Sequence, residues 1–117
     1  MEAVIQRLKK ESIDKYALAE MYYSVISVLN DLDMTEREVQ LVAYTAIHGN
    51  ISYAVNREEF CKMHSTTSPT VNNMISRLKK IHVLIKDSGK VKVNPSIILD
   101  FNKDIVLQIK LVHGEAR

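Results

Sequence analysis

Apolar residues recur at helical spacing through the N-terminal part of the chain. Val4 and Leu8 begin an apolar stripe that continues to Leu29. This periodicity predicts a long N-terminal helix over residues 2–30, with a polar bend near residues 12–14. The apolar face of this helix is broad, so it either lies at the centre of the core or packs against a second copy of the helix. The pattern leaves both alternatives open.

A second helix is predicted after the polar stretch Asn30–Asp33. Thr35 is followed three residues later by Glu38, the spacing of a capping box, in which each side chain accepts the other residue's backbone N–H. Apolar residues then recur at helical spacing up to Gly49, a residue type suited to the left-handed conformation that ends many helices. Residues 51–53 are compatible with a short first strand.

Two shorter helices are predicted between residues 56 and 81. Asn56 is the expected N-cap of the first, which ends at His64. Ser68 is the expected N-cap of the second, with Pro69 at the first helical position. One face of the second helix is apolar and consists of Val71, Ile75 and Leu78. The opposite face, expected to project into solvent, consists of Thr70, Asn73, Arg77 and Lys80.

A β-hairpin is predicted directly after these helices. Residues 82–86 form its first strand, Asp87–Gly89 its turn and Lys90–Val93 its return strand. Farther along, residues 105–112 are rich in β-branched side chains and have polar residues two positions apart, which favours a terminal strand. The predicted fold class is therefore α+β: mostly helical, with a small antiparallel hairpin, a long N-terminal helix and a C-terminal strand.

Length and composition are those of an ordinary globular protein. The 117 residues predict a single domain, and 46% hydrophobic with 26% charged residues argue against wholesale disorder. The one cysteine, Cys61, cannot form an internal disulfide. The apolar runs are too short to span a membrane, and the N-terminus lacks the apolar core of a secretory signal. A cytoplasmic protein with no membrane partner is expected.

The formal charge of +2 is unevenly distributed along the chain. Residues 1–56 hold five Lys and Arg against eight Asp and Glu, whereas residues 57–92 hold eight against three. The positive charge therefore collects on the segment that contains the second predicted helix pair and the hairpin. This asymmetry is what a polyanion-binding face requires.

Residues 34–95 resemble a winged helix-turn-helix domain of bacterial and phage transcription regulators and replication initiators. The resemblance lies in the order of the segments MTEREVQLVAYTAIHG, NREEFCKMHSTTSPTVNNMISRLKKIHVLIKD and SGKVKVNP. Their layout is similar to that of MarR-type regulators and plasmid initiator domains. The resemblance implies a recognition helix at residues 68–81 and a wing at 83–93. It leaves residues 1–33 as a helical extension for dimerisation or docking, and 96–117 as a C-terminal extension.

The residue types on the predicted recognition helix suit double-stranded DNA. Asn can pair bidentately with adenine and Arg with guanine, each worth about 1–3 kcal/mol of discrimination. Hydroxyls and free N–H groups at the turn suit a phosphate, and lysines at the helix end and hairpin suit the DNA backbone. The candidate DNA-binding residues are Ser65, Thr66, Thr67, Ser68, Thr70, Asn72, Asn73, Ser76, Arg77, Lys79, Lys80, Lys86, Lys90 and Lys92.

Other chemistry has little support in the sequence. Cys61 and His64 are accompanied by no CxxC or HxxxH pattern of a metal site, and the isolated glycines form no phosphate loop. No nucleophile–base motif is visible. The chain is therefore expected to be a non-enzyme with no metal and no cofactor.

The expected function is sequence-specific binding of double-stranded DNA by a transcription regulator or replication-associated protein of bacterial or phage origin. The N-terminal helix would contact a second copy or a protein partner. An alternative is a winged-helix module for protein interaction or assembly, for example in a phage particle, with little DNA binding. A third interpretation is a sensor in which Cys61 responds to redox or metal state.

Overall fold

The computed structural model of the chain describes residues 14–108 and 112–114. Within them the fold is α+β, with four helices and a two-stranded antiparallel hairpin. One turn of 3₁₀ helix, Pro95–Ile97, follows the hairpin. The helices are α1 (Lys15–Leu29), α2 (Glu36–His48), α3 (Ala54–His64) and α4 (Ser68–Lys80), and the strands are β1 (Leu84–Asp87) and β2 (Lys90–Val93).

Helix α1 begins at Lys15, directly after Asp14, the last residue of the stretch where the sequence predicts a bend. The Asp14 side chain accepts a hydrogen bond from the backbone N–H of Ala17 at 2.7 Å and caps the helix. The part of the predicted N-terminal helix before Asp14 lies outside the described residues. Helix α1 buries Ala19, Tyr23 and Ser27 and packs along α2. Its inner face therefore belongs to the core.

The predicted limits of α2 are confirmed. The Glu38 N–H donates to Thr35 Oγ1 at 3.2 Å, and the Thr35 N–H donates to Glu38 Oε1 at 2.9 Å, so both halves of the capping box form. At the other end Gly49 ends the helix with a φ of 90°, a backbone conformation that glycine adopts without a steric penalty.

The predicted cap of α3 is wrong. The helix begins at Ala54, two residues before Asn56, and its N-cap residue is Tyr53. The Asn50 side chain accepts the N–H groups of Ser52 and Tyr53 at 3.0 and 3.2 Å and turns the chain into the helix early. Asn56 donates instead to the Asn50 carbonyl at 3.0 Å.

Helix α4 begins one residue earlier than predicted. Thr67 is the N-cap residue, in an extended conformation, so Ser68 is already helical and Pro69 occupies the second helical position. No side chain caps the first turn of α4. The Thr67 hydroxyl is instead 3.0 Å from the Thr70 hydroxyl, which lies one turn along the helix.

The hairpin follows α4 with its turn at the predicted place. Leu84 pairs with Val93 and Asp87 with Lys90, which leaves Ser88 and Gly89 as a two-residue turn. Both turn residues have positive φ, 51° and 78°, as in type I′ turns that match the twist of the strands. Strand β1 starts two residues later than predicted because His82, with a φ of 62°, interrupts the extended chain.

Two predicted strands do not form among the described residues. Residues 51–53 form no ladder with the hairpin: the Ile51 N–H donates to the Val91 carbonyl at 3.0 Å, but the Val91 N–H donates to the Ser52 hydroxyl at 2.7 Å. Residues 105–108 and 112 are irregular, and 109–111 lie outside the description. A strand requires a neighbouring strand for its backbone hydrogen bonds, and the described sheet has only two.

The core holds α4 and the hairpin against the other helices. Val71, Ile75 and Leu78, the predicted apolar face of α4, are buried. They belong to one cluster with Phe60 of α3 and with residues of α1, α2 and the hairpin. The opposite face of α4 is thereby directed away from the core. Within the described part of the chain, no helix is long and apolar enough to cross a membrane.

Candidate nucleic-acid interface

The outward face of α4 is polar and cationic, except for Pro69 in the first turn. Successive residues are rotated by about 100° around a helix axis, which places Asn73, Ser76 and Lys80 opposite the buried stripe. All three side chains are exposed. They follow one another at three and four residues, so they lie in one row. This row replaces the predicted row of Thr70, Asn73 and Arg77 as the centre of the face.

Arg77 does not project freely into solvent, contrary to the prediction. Its Nη1 donates to both carboxylate oxygens of Glu38 at 2.8 Å, and its Nη2 donates to the carbonyls of Leu32 and Asp33 at 3.1 and 3.0 Å. The Glu38 side chain is only 4% exposed. The guanidinium therefore joins α4 to the N-terminus of α2, and its charge is largely balanced by a buried carboxylate.

The two neighbouring asparagines of α4 are in different situations. Arg57 donates from Nη1 to Asn72 Oδ1 and from Nε to the Ile51 carbonyl, the latter at 3.0 Å. Arginine has only donors, so Arg57 uses one of the two acceptor sites of the Asn72 amide oxygen and fixes the orientation of that amide. The Asn73 side chain makes no hydrogen bond to another described residue and borders a shallow cleft of about 410 Å³ beside α2. Of these two amides, that of Asn73 is the one whose donor and acceptor are both free of contacts with described residues.

The turn before α4 presents hydroxyls around an uncapped helix N-terminus. Ser65 ends α3 in the left-handed conformation with a φ of 50° and is exposed, as are Thr67, Ser68 and Thr70. The N–H of Thr66 donates a hydrogen bond to the Cys61 carbonyl at 3.1 Å. No side chain accepts a capping hydrogen bond from the first turn of α4. The free N–H groups of that turn are therefore directed at this polar surface, an arrangement that favours anions.

The predicted lysines differ in whether their ammonium group already contacts a carboxylate or an aromatic ring. Lys79 and Lys80 at the end of α4 and Lys86 on β1 are exposed and pair with no carboxylate among the described residues. Lys90 Nζ lies 4.9 Å from the centre of the Tyr53 ring. Lys92 lies 3.7 Å from an Asp87 oxygen, which partly balances its charge.

Two residues at this surface were missed by the sequence reasoning. Tyr53 is 49% exposed and lies against Lys90, and Arg57 positions the Asn72 amide. Tyr53 precedes the first residue of α4 by 15 positions and Arg57 by 11. Their contacts depend on the loop at residues 50–53 folding against β2, and no local pattern signals that approach.

The histidines and the cysteine do not form a cluster in the described part of the chain. His48 Nε2 is 2.6 Å from the Tyr16 hydroxyl, and its ring stacks on Tyr44 with a centroid distance of 4.1 Å. Burial, aided by the nearby Arg37 charge, lowers the pKa of His64. Cys61 is half-buried. Among the residues described, no group of three or more His, Cys, Asp and Glu is placed to hold a metal ion.

Comparison with known proteins adds no relative. No family model, no curated protein and no solved structure matches the chain.

Proposed function

We propose that this chain is a winged helix-turn-helix protein that binds double-stranded DNA in a sequence-specific way. Helix α4 enters the major groove, and the hairpin of β1 and β2 acts as the wing against the adjacent backbone. The observation that carries the proposal is the exposed row of Asn73, Ser76 and Lys80 on a helix that contains no carboxylate. A major groove admits one α-helix with such a face.

The charge around α4 supports a polyanionic ligand. From Phe60 to Lys86 the sequence contains no Asp or Glu. Although the Arg77 charge is balanced by Glu38, the lysines at the end of α4 and on β1 are free of carboxylate partners among the described residues. Each lysine that neutralises a phosphate on binding releases a counterion, which makes affinity fall with salt.

The polar row provides the means to distinguish bases. The Asn73 amide has its donor and acceptor available and can pair bidentately with adenine, for about 1–3 kcal/mol of discrimination. Asn72 is less suited to this pair, because Arg57 already donates to its amide oxygen and orients the amide. Ser76 can donate to or accept from a base edge, and Lys80 suits a guanine or a phosphate. An adenine opposite Asn73 is the predicted element of the site.

The hairpin and the α4 N-terminus would contact the DNA backbone on the two sides of the helix. Lys86 and Lys90 are the wing cations, and the Tyr53 ring holds Lys90 in place. The exposed hydroxyls of Thr67 and Ser68, with the free N–H groups behind them, would bind a phosphate. These contacts fix the orientation of the helix without reading sequence.

The test is an electrophoretic titration of the protein against random duplex DNA at low and moderate salt, followed by selection from a randomised duplex library. We expect binding that weakens steeply with salt and selected sites that share an A·T pair. A chain that binds no duplex even at low salt would refute the proposal.

A second candidate function is a protein-interaction or assembly module on the same fold. The observation that favours it is the exposed apolar surface of α1, where Met21 and Val28 are 45% and 81% exposed. Absence of duplex binding together with co-purification of a protein partner would support this function over DNA binding.

A further inference from the structure

An apolar groove of about 650 Å³ lies between α1 and the start of α2. Its apolar lining comes from Met21, Val25 and Val28 of α1, from Val39 of α2 and from Met34 in the connection between the two helices. The three residues of α1 are four and three positions apart, so they form one stripe along the helix. At 1.5 Å per residue this stripe is about 10 Å long, close to two helical turns.

The rim of this groove is acidic. Glu20 and Glu36 both line it, and neither carboxylate forms an ion pair with a cation among the described residues. Burial, together with the nearby Asp14 and Glu36 charges, raises the pKa of Glu20. Because carboxylates that repel each other are stabilised by a nearby cation, the rim favours positive charge in whatever occupies the groove.

The acidic rim disfavours two other occupants. Duplex DNA would place its phosphates against Glu20 and Glu36, where charges of the same sign repel. A second copy that met this face symmetrically would bring the two carboxylates of each copy close to those of the other, and like charges across an interface are unfavourable. The complementary occupant therefore combines an apolar stripe with positive charge.

An amphipathic helix has the dimensions that this groove requires. Helices that bind in apolar grooves place anchor side chains at i, i+3 or i+4, and i+7, which matches the spacing and length of the stripe on α1. Lysine or arginine beside those anchors can lay its aliphatic stem along the apolar floor and still reach a carboxylate at the rim. Both parts of the groove are thus used by one short segment.

We propose that this groove binds an amphipathic, cationic helix of another protein. The apolar row of that helix lies on Met21, Val25 and Val28, and its lysine or arginine side chains lie at Glu20 and Glu36. The inference rests on the protein-interaction role given above as the second candidate function, and it names the class of partner for that role. It does not depend on duplex binding by α4, since the groove contains no residue of that helix.

Anisotropy titrations of the full chain with labelled peptides test the partner class. The probe is a helical peptide of about 18 residues with leucines at i, i+3 or i+4, and i+7 and lysines beside them. The control peptide carries glutamate in place of each lysine, at matched helix content by circular dichroism. We expect the lysine peptide to bind about tenfold more tightly or better, because the rim attracts one peptide and repels the other.

Substitutions in the chain locate the bound peptide. Val28→Asp, in the groove, should weaken binding of the lysine peptide by about tenfold. Leu29→Asp is the matched control, because Leu29 is exposed next to Val28 but does not line the groove. Glu36→Lys should weaken the lysine peptide and strengthen the glutamate peptide, whereas Glu58→Lys, an equal charge change at an exposed position of α3, should do neither.

Several results would overturn the proposal. These are no binding of the lysine peptide, equal affinities for the two peptides, or equal losses from Val28→Asp and Leu29→Asp. A dimer of the free chain that Val28→Asp dissociates in analytical ultracentrifugation would assign the groove to a second copy instead. Duplex titration of the same variants is a separate measurement, so failure of DNA binding by α4 and failure of peptide binding by the groove are distinguished.

Discussion

Helices α1 and α4 both contribute a buried stripe to the core, but their outward faces are opposite in character. Helix α4 buries Val71, Ile75 and Leu78, and beyond Pro69 it presents polar and cationic side chains opposite them. Helix α1 buries Ala19 and Tyr23 and still exposes apolar side chains on its other side. The core covers the whole apolar surface of a helix that has one apolar face. A helix with two apolar faces leaves one of them exposed unless another molecule or segment packs on it.

The difference assigns different kinds of ligand to the two regions. A carboxylate-free, lysine-bearing face suits a polyanion. The groove of about 650 Å³ along α1, which Met21, Val25 and Val28 line, suits an apolar segment of a protein. The two regions meet at the connection between α1 and α2. Met34 and Glu36 line the groove, and Glu38, two residues farther, holds Arg77 of α4. Substitutions on one side of this connection change the polar face of α4, and substitutions on the other side change the apolar groove of α1.

The largest expected effect is that of Arg77→Ala. The substitution leaves the buried Glu38 carboxylate without its guanidinium, and we expect a loss of about 2 kcal/mol of unfolding free energy, discounted for the partial exposure of the pair. Urea denaturation measures the change. Lys79→Ala, at an exposed neighbouring position, should change stability by less than about 0.5 kcal/mol. Unchanged stability with lost DNA binding would instead assign Arg77 to the DNA.

Asn73→Ala should remove sequence preference from α4. We expect discrimination for the A·T pair of a selected site to fall by about 2 kcal/mol, close to thirtyfold, with affinity for random duplex little changed. Competition binding with site variants measures it. Asn72→Ala is the matched control, because its amide oxygen already faces Arg57. A larger effect at Asn72 than at Asn73 would contradict the proposed readout.

Thr35→Ala should weaken the start of α2, which links the two regions. Loss of the Thr35 half of the capping box should cost about 1 kcal/mol of unfolding free energy, since the Glu38 N–H loses its hydroxyl acceptor. Thr67→Ala is the control, because Thr67 occupies the N-cap of α4 without a side-chain capping bond. Denaturation midpoints compare the two, and equal losses would show that the box contributes nothing.

Lys80→Ala should have the smallest effect on any single duplex. Lys80 lies at the end of the polar row with no carboxylate partner among the described residues. We expect a uniform loss of affinity on specific and random duplexes, and a salt slope smaller by about one. The slope from titrations at several salt concentrations measures this. A control change at Lys103, outside the proposed surface, should leave the slope unaltered.

Local signals in the sequence determined the elements that they describe. The Thr35–Glu38 box and the stop at Gly49 formed as predicted, because each needs only residues within one helical turn. The turn at Ser88 and Gly89 also depends on adjacent residues, and helical spacing alone places Val71, Ile75 and Leu78 on one face of α4. In each case the residues that define the feature are close in the chain, so their spacing is sufficient to predict it.

Only the tertiary structure decided which polar residues remain available. The partner of Arg77 lies 39 residues earlier, and the partner of Asn72 lies 15 residues earlier, so no helical periodicity shows that these side chains are engaged. The strand predicted at 105–112 was wrong for its described residues, because alternation gives a strand its faces but cannot provide its neighbour. Periodicity thus determined the faces of each element, and packing between distant segments decided which groups on those faces stay free.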